Sequence, residues 1–580
     1  MKSSTSSYFL SNISLFGMVL AAVLLSVVFK WSFKEYPVFF MGGDAEDYYS
    51  SLISLFIRHD IVNQQGDNWF LLKTTGGTIN QHPIGVALLL LPFFALACLF
   101  AYLFQQPVDG LSMPFQVMAA LAALVYATIG LLYLKKLLRL NGVHDKITAL
   151  ILLLVFFGTN LLHYTLSEAV MSHVYSFALI AVFMYHSCKL VLQPNKTSLY
   201  FSAAVLGLIL LVRPNNIFIV FSVFFWFNSF GQAKTFLLQL FKNKHFYLAL
   251  LITGAILFLQ NLLWYYQSHS FFHQTYKADG FYWLHPQTLQ MLFGFDGGFF
   301  IYTPLCLLFM TGLFAIYKTN TFSFIAISSF ILLLFYFFSA YASYTYFDGL
   351  GIRVLVDYYA VFAFLGAKLF TQLAGYKLLS LVSMVVAILF MTINLIYVYQ
   401  ANRGILLRAG MTYKKWKHVF LKTDAAYRDC LGGSHELRPY APGHPPISWN
   451  RQLQPIPFDY QNKEYGVNLV WDSVDFHSNR VHLKIDCNRT EALANASEQA
   501  LVCMSLEDKE HHNKFYAQFK LNETPSAKCC ETEMYHYSKN LAASFEPGDR
   551  FAVYIWNKAI QPFKVERFSV KLFNYNYVIN

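Results

Sequence analysis

The sequence predicts a polytopic α-helical membrane protein with about 11 transmembrane helices, further juxtamembrane helices on the outer side, and a C-terminal soluble β-sandwich-like domain. Three observations predict it. Of 580 residues, 56% are hydrophobic and 13% charged, against about 25% charged in an ordinary soluble domain, so most of the chain is matched to lipid rather than water. Charge is also unevenly placed: residues 1–400 hold 20 Lys and Arg and 13 Asp and Glu, whereas residues 401–580 hold 23 and 19. Beyond residue 458, RVHLKIDC, KFYAQFKL, RFAVYIW and FSVKLFNYNYVI alternate apolar and polar positions between turn residues, the pattern of half-buried strands.

A helix that crosses the hydrocarbon core needs about 20 apolar residues. Twelve apolar segments lie near 11–31, 83–105, 113–134, 147–166, 168–188, 199–212, 215–231, 246–266, 300–317, 321–341, 354–374 and 378–399. The loops KKLLRLNGVHDK (135–146) and KNK (242–244) are strongly basic and read as cytoplasmic. If the N-terminus is inside too, one of the three segments before Lys135 does not cross. The segment 83–105, which opens with HPIG after a long polar loop, is expected to be a re-entrant or juxtamembrane helix on the outer side. That leaves eleven crossings, with the loops 32–82 and 267–299 and the whole tail outside. The short segments 199–212 and 215–231 flank VRPNN and read as a hairpin that leaves Arg213 close to membrane depth.

The polar Met1–Asn12 and the long apolar run after it show no convincing cleavage site, so the first segment is expected to stay as a helix. Three units are expected: a transmembrane domain over 1–400, an amphipathic helix and Pro-rich linker over 401–457 (GMTYKKWKHVFLK, then RPYAPGHPPI), and an extracytoplasmic β-rich domain over 458–580. Disulfide-capable cysteines on the outer face are consistent with a bacterial periplasm or an endoplasmic reticulum lumen, and the short N-terminus and compact loops favour a bacterial inner membrane with the tail in the periplasm. In a soluble protein a net charge of +11 would suggest nucleic acid. Here the basic residues of the first 400 fall in short loops between apolar runs, so no nucleic-acid partner is read. Of eight cysteines, Cys430, Cys487, Cys503, Cys529 and Cys530 fall in the tail; five is odd, so at most two bridges form there.

The chemistry begins at MGGDAEDYYSSL (41–52). Asp44 suits a helix cap, and Glu46 and Asp47 suit a first turn, where negative charge favours the helix dipole. All three remain candidates for catalysis because of what else the outer face offers. Ionisable groups at membrane depth are costly and default to function. Arg213, Arg353 and His82 are candidates to hold a donor phosphate, with His173, Tyr346, Asp348 and Asp357 as surrounding contacts. The bland readings are a helical ion pair between Arg353 and Asp357, four residues on, and snorkelling of Arg213 to headgroups. Asp296 reads as a turn residue. A carboxylate able to take a proton, beside guanidinium groups able to hold a phosphate, is the minimum for displacing phosphate from an activated sugar. No Walker loop, dinucleotide fingerprint or zinc-ligand motif competes. In the tail, Trp471, Trp556, Tyr575 and Tyr577 are candidates to stack on sugars, though most aromatics of a sandwich fill its core.

In order along the chain stand GDAED, HPIGVALLLLPFF (82–94), SEAVMSHVYSFAL (167–179), LLVRPNN (210–216), FGFDGGFFIYTPL (293–305) and YFDGLGIRVLVDYYAVFAFLGA (346–367). Over residues 1–400 this resembles the GT-C superfamily of membrane glycosyltransferases, which includes protein O-mannosyltransferases and the lipid A aminoarabinose transferase. The resemblance implies transfer of one sugar from a polyprenyl-phosphate carrier to a protein, glycan or lipid acceptor on the outer side of the membrane. It implies that Asp44, in the first outer loop, is the catalytic acid. Many relatives have adjacent Asp-Glu; here Ala45 intervenes, and the second acid stays open between Glu46 and Asp47. His82-Pro83-Ile84 replaces the paired prolines common at that position. No cofactor beyond the lipid-linked sugar is implied, and a divalent metal stays open. Two alternatives remain: an oligosaccharyltransferase or ligase that uses a lipid-diphosphate glycan, and a lipid-linked sugar transporter.

Overall fold

The computed structural model describes residues 9–28, 43–64, 71–273, 275, 280–346, 349–428, 430–431, 457–471, 480–491, 500–521, 530–538 and 548–575. It divides into two compact units: Met1–Asp279 with Tyr302–Phe338 and Ile352–Val398, and Gly280–Ile301 with Ser339–Gly351 and Tyr399–Asn580.

The first half of the chain supplies helices α1 (Phe9–Val28), α2 (Gly43–Phe56), α3 (Gly85–Leu103), α4 (Met113–Leu140), α5 (Asp145–Phe157), α6 (Leu161–Leu166), α7 (Ser172–Leu192) and α8 (Lys196–Val212). A 3-10 helix, Pro214–Trp226, follows, then α9 (Phe230–Lys242) and α10 (Lys244–Ser268). A short hairpin of β1 (Leu71–Lys73) and β2 (Thr78–Asn80) lies between α2 and α3. Next come α11 (Thr288–Phe293), α12 (Phe299–Tyr302), α13 (Pro304–Met310), α14 (Gly312–Thr319) and α15 (Thr321–Ala340). A second 3-10 segment, Arg353–Tyr358, runs into α16 (Tyr359–Leu373), followed by α17 (Lys377–Asn402) and α18 (Tyr413–Val419).

Among the described residues, eight helices are long and apolar enough to cross a membrane, or up to nine if the bent pair Pro214–Trp226 and Phe230–Lys242 is one span. The expected count of eleven is therefore not reached, and the reason is local. The segment 147–166 is split into α5 and α6 around Gly158–Asn160, 300–317 is split at Pro304 and Gly312, 199–212 forms only the 17-residue α8, and 215–231 is a 3-10 helix that reaches span length only together with α9. Conversely, 83–105 forms the unbroken α3, whose mean hydropathy of 2.6 is the highest of the eight. By length and composition it is a candidate span, at the position where a re-entrant or juxtamembrane helix on the outer side was expected.

At the centre of the first unit stand α7 and the Arg353–Leu373 segment, 78% and 89% buried along their apolar windows, whereas the α10 window is 11% buried and faces outward. Helix α7 packs against α4, α8 and both 3-10 segments. The N-terminal turns of α7 and of the two 3-10 segments thereby meet, and the polar side chains of the first unit collect there.

In the second unit, Phe295 packs on Tyr413 and Trp416. Asp296, in the turn before Gly297, accepts a hydrogen bond from the Met411 amide. The C-terminal strands are β3 (Phe458–Asp459), β4 (Tyr465–Trp471), β5 (Arg480–Glu491), β6 (Ala500–Glu507), β7 (Asn513–Lys520), β8 (Cys530–Ser538), β9 (Arg550–Asn557) and β10 (Phe563–Tyr575). They form two antiparallel four-stranded sheets, ordered β3-β10-β5-β8 and β4-β9-β6-β7. Inward residues of both sheets fill one core that includes Trp471, Ile485, Met504, Phe551 and Phe568, as the period of two along each strand requires. Trp471 is 1% exposed and therefore cannot stack on a ligand. The Pro-rich stretch 438–447 and the side chains of Tyr575 and Tyr577 lie outside the described residues.

Candidate functional site

Asp44 lies in the first turn of α2, which begins at Gly43, so it is a helical residue rather than the expected cap. Its Oδ2 accepts a hydrogen bond from Arg353 Nη2 at 2.7 Å. His82 Nε2 lies 3.8 Å from Asp44 Oδ1, and its Nδ1 lies 2.9 Å from Asp47 Oδ2. Asp47, one turn into α2, is buried and faces His82. The His82 loop is held by Asn80, whose side chain accepts from the His82 amide and donates to the Asp47 carbonyl. Glu46 sits half-buried in the same turn.

A second carboxylate closes the site from the other side. Asp357 Oδ1 is 2.8 Å from His173 Nδ1, and its Oδ2 accepts from Asn216 Nδ2 at 2.8 Å and faces Arg213 Nε at 3.4 Å. Arg213 Nη1 also donates to Ser172 Oγ at 3.1 Å. Asp357, His173 and Asn216 are fully buried. Local sequence explains the placement of Arg213. Pro214 lacks an amide donor and disfavours helix in the residue before it; Arg213 accordingly ends α8 in an extended conformation, φ −149° and ψ 104°, and its side chain turns into the cluster.

The expected helical pair Arg353–Asp357 does not form; each residue pairs elsewhere. The intervening segment is a 3-10 helix. At three residues per turn, positions four apart are rotated by about 120° and leave a common face.

Asp44 and Tyr48 carry the site's electrostatics on α2. Burial alone would raise the Asp44 carboxyl, but Arg353, with smaller contributions from His82, Arg213 and His173, holds it at about 2. Burial pushes the Tyr48 hydroxyl up to about 12, so it remains a donor near neutrality. Its ring meets His82 edge-on at 4.8 Å.

No protein-family model matches the chain, and no curated protein matches it. Among solved structures it is similar to the crystal structure of the Archaeoglobus fulgidus oligosaccharyltransferase in the apo form, at 13% identity and a TM-score of 0.40. The match covers 69% of this chain and 57% of that one, so it spans little more than half of that protein's length.

Of the residues singled out in the sequence, Asp44, Asp47, His82, His173, Arg213, Arg353 and Asp357 are thus brought together in the first unit. Tyr346 belongs to the second unit, where it stacks on Tyr341 at 5.4 Å. Asp348 lies outside the described residues. Sequence reasoning missed Asn216, Ser172 and Asn80. Asn216 stands in the quoted VRPNN, where a second polar residue after the proline in an apolar run was the available signal; Ser172 and Asn80 gave none. It also passed over His163, on α6, and Glu168, in the loop before α7, whose ring and carboxylate lie 3.2 Å apart. Among the described residues, no group of three or more His, Cys, Asp or Glu is arranged to hold a metal ion.

Proposed function

We propose that this chain is a GT-C-type glycosyltransferase that moves a sugar from a polyprenyl-phosphate carrier to an acceptor on the outer face of the membrane, most simply a bacterial inner membrane. The observation that carries this reading is the convergence of two arginine–carboxylate pairs, Asp44–Arg353 and Asp357–Arg213, on elements flanking helices apolar enough to span. Paired arginines match the oxygens of a phosphate better than any neutral group. Buried charges kept in such numbers at helix ends are expensive, and function is their default reading.

In this mechanism Arg353 and Arg213 take the donor phosphate. Arg353 then no longer neutralises Asp44 alone, and the released carboxylate becomes a stronger base. The acceptor hydroxyl attacks the anomeric carbon, the bond from that carbon to the phosphate oxygen breaks, and its electron pair leaves with the carrier phosphate. Asp44 takes the hydroxyl proton. His82 and Asp47 hold Asp44's side of the site, and Asp357, with His173 and Asn216, holds Arg213. A mostly apolar groove of about 440 Å³ is lined by Leu52, Leu55, Phe56, Leu88, Leu91 and Leu263, with His59 and Asp60 also in its wall; it includes Ser51 and Ile84, within a few residues in sequence of Asp47 and His82. Its apolar walls suit the prenyl chain.

The test supplies purified protein with labelled polyprenyl-phosphate and polyprenyl-diphosphate sugars and follows carrier release. Release from a monophosphate donor, lost in Asp44→Asn, is the expected result. Release from diphosphate glycans alone would assign the site to oligosaccharide transfer, and passage of an unchanged donor across vesicles with no product would assign it to transport.

A further inference from the structure

Strand alternation gives the β4-β9-β6-β7 sheet two unlike faces. Val467, Leu469, Val502, Met504, Val553 and Ile555 turn into the shared core, so the residues between them turn away from it. On that outer face lies a trough of about 640 Å³, lined by Tyr465, Asn468, Ser505, Glu507, Arg550 and Tyr554. One end is built by a glycine. A Cβ at Gly466 would come within 2.0 Å of the Phe458 ring, so only glycine lets that ring lie against the strand, with the Lys463 ammonium 4.9 Å from its centroid. Here β4 also carries a bulge, between Tyr465 and Asn468, which re-aims side chains at a strand edge.

Tyr465 and Trp556 form a held aromatic pair, the first exposed and the second half-buried. Tyr465 is 57% exposed, and its ring runs parallel to that of Trp556 within 2°, centroids 6.3 Å apart. The Trp556 indole is fixed by a hydrogen bond from Nε1 to Glu464 Oε1 at 2.9 Å. Arg550 to Tyr554 spans four residues of strand, about 13 Å, long enough for more than one sugar ring.

We propose that this trough binds a neutral oligosaccharide. Sugars present flat C–H faces that pack on an aromatic ring and hydroxyls at their rims that need both donors and acceptors. The trough supplies both: Tyr465 for the face; Asn468, Ser505, Glu507, Arg550 and the Tyr554 hydroxyl for the rim. Nucleic acid would call for a clear excess of positive charge. Glu507 sets a negative charge directly across the ladder from Arg550, so with Lys463 the charged residues of the lining sum to only +1. The proposal is independent of the transferase reading, because every residue it uses lies in the C-terminal sheets.

The full-length protein in nanodiscs, applied to a glycan array of neutral and acidic oligosaccharides, tests it. The expected result is retention of at least one neutral oligosaccharide. Calorimetry with that oligosaccharide should show binding weakened about tenfold or more in Tyr465→Ala, the loss of one anchoring aromatic, and weakened in Glu507→Gln. Gln518→Ala, on the neighbouring strand, should bind as wild type and controls for folding of the sheet. Carrier release with a monosaccharide acceptor should be the same in Tyr465→Ala and wild type, so loss of glycan binding is read apart from catalysis. The proposal is overturned if wild type retains no glycan, if Tyr465→Ala and Glu507→Gln leave retention unchanged, or if only acidic glycans bind and are released by salt.

Discussion

Asp44 Oδ2 and Arg353 Nη2 lie 2.7 Å apart across 309 residues of sequence, with 17% and 15% of their side chains exposed. A pair so little hydrated is costly to break from one side, because the remaining charge keeps its desolvation penalty without its partner. The Asp44 carboxyl moves from its ordinary 3.8 down to about 2. A depressed carboxyl stabilises the folded state fully above its unfolded value, and that contribution fades as pH falls through the folded one. The difference in thermal stability between wild type and Asp44→Asn should therefore be flat from about pH 8 to 5, on the order of 2 kcal/mol, and should shrink between about pH 4 and 2. Unfolding melts of both proteins across that range check it; a difference that collapses near neutral pH would show that Asp44 is not held by Arg353.

Arg353 should act on donor binding through shape as well as charge. Arg353→Lys keeps the charge but loses the planar fork that grips two oxygens at once. Loss of one charged hydrogen bond is worth about 1.5–3 kcal/mol, so the donor KM should rise about 10- to 100-fold with kcat less affected. Steady-state kinetics on a monophosphate donor separate the two constants. An unchanged donor KM would remove Arg353 from the phosphate site.

The Asp357 cluster should show strong coupling. Asp357→Asn leaves Arg213 and His173 without their carboxylate, and Arg213→Gln leaves a fully buried Asp357 with fewer partners. Each single change should be strongly destabilising, and the double change should cost less than their sum by about 0.5–3 kcal/mol. A double-mutant cycle read by denaturation measures that term, and simple additivity would contradict the observed pairing.

These clusters show where the sequence was legible. Arg213 was readable because a charged residue before Pro214 in an apolar run has little choice but to end the helix and turn inward. The strands of the tail were readable because a period of two survives in any sheet with one wet face. The Arg353 pairing was not readable: periodicity assumes α-helix, and a 3-10 turn, which nothing in RVLVDY announces, rotates Asp357 away. Nor was the split of 147–166 and 300–317 into short helices, because hydropathy averages over Gly158, Pro304 and Gly312. Asn80 and Ser172 act through contacts made from far along the chain, which no local pattern records.

Two cysteines of the tail should behave as protected thiols. Cys487 and Cys503 are free and only 2% and 0% exposed, and burial pushes the Cys487 thiol up to about 12. The reactive species is the thiolate, so both should resist maleimide in the native protein near pH 8 and label fully after unfolding. Peptide mapping by mass spectrometry distinguishes them from the other cysteines, and native labelling of either would place it at the surface.

Gly85 should prove as important to the site as the charged groups. A Cβ there would meet Leu211 C and O at 2.4 Å and Val212 N at 2.5 Å, all backbone atoms that cannot rotate away. The missing side chain is what lets α3 approach the end of α8, and that approach brings the His82 loop, three residues before Gly85, beside Arg213, two residues after Leu211. Gly85→Val must therefore push the two helices apart. The cost of overpacking is about 1–3 kcal/mol, and the movement separates Arg213, a proposed phosphate contact, from His82, which holds Asp44's side of the site. Donor KM should rise in Gly85→Val more than in Gly130→Ala, which crowds only the Phe177 ring and the Ala178 backbone between α4 and α7. Equal effects on stability with unequal effects on donor KM would trace the loss to the site itself, whereas equal effects on both would mean that Gly85 serves helix packing alone.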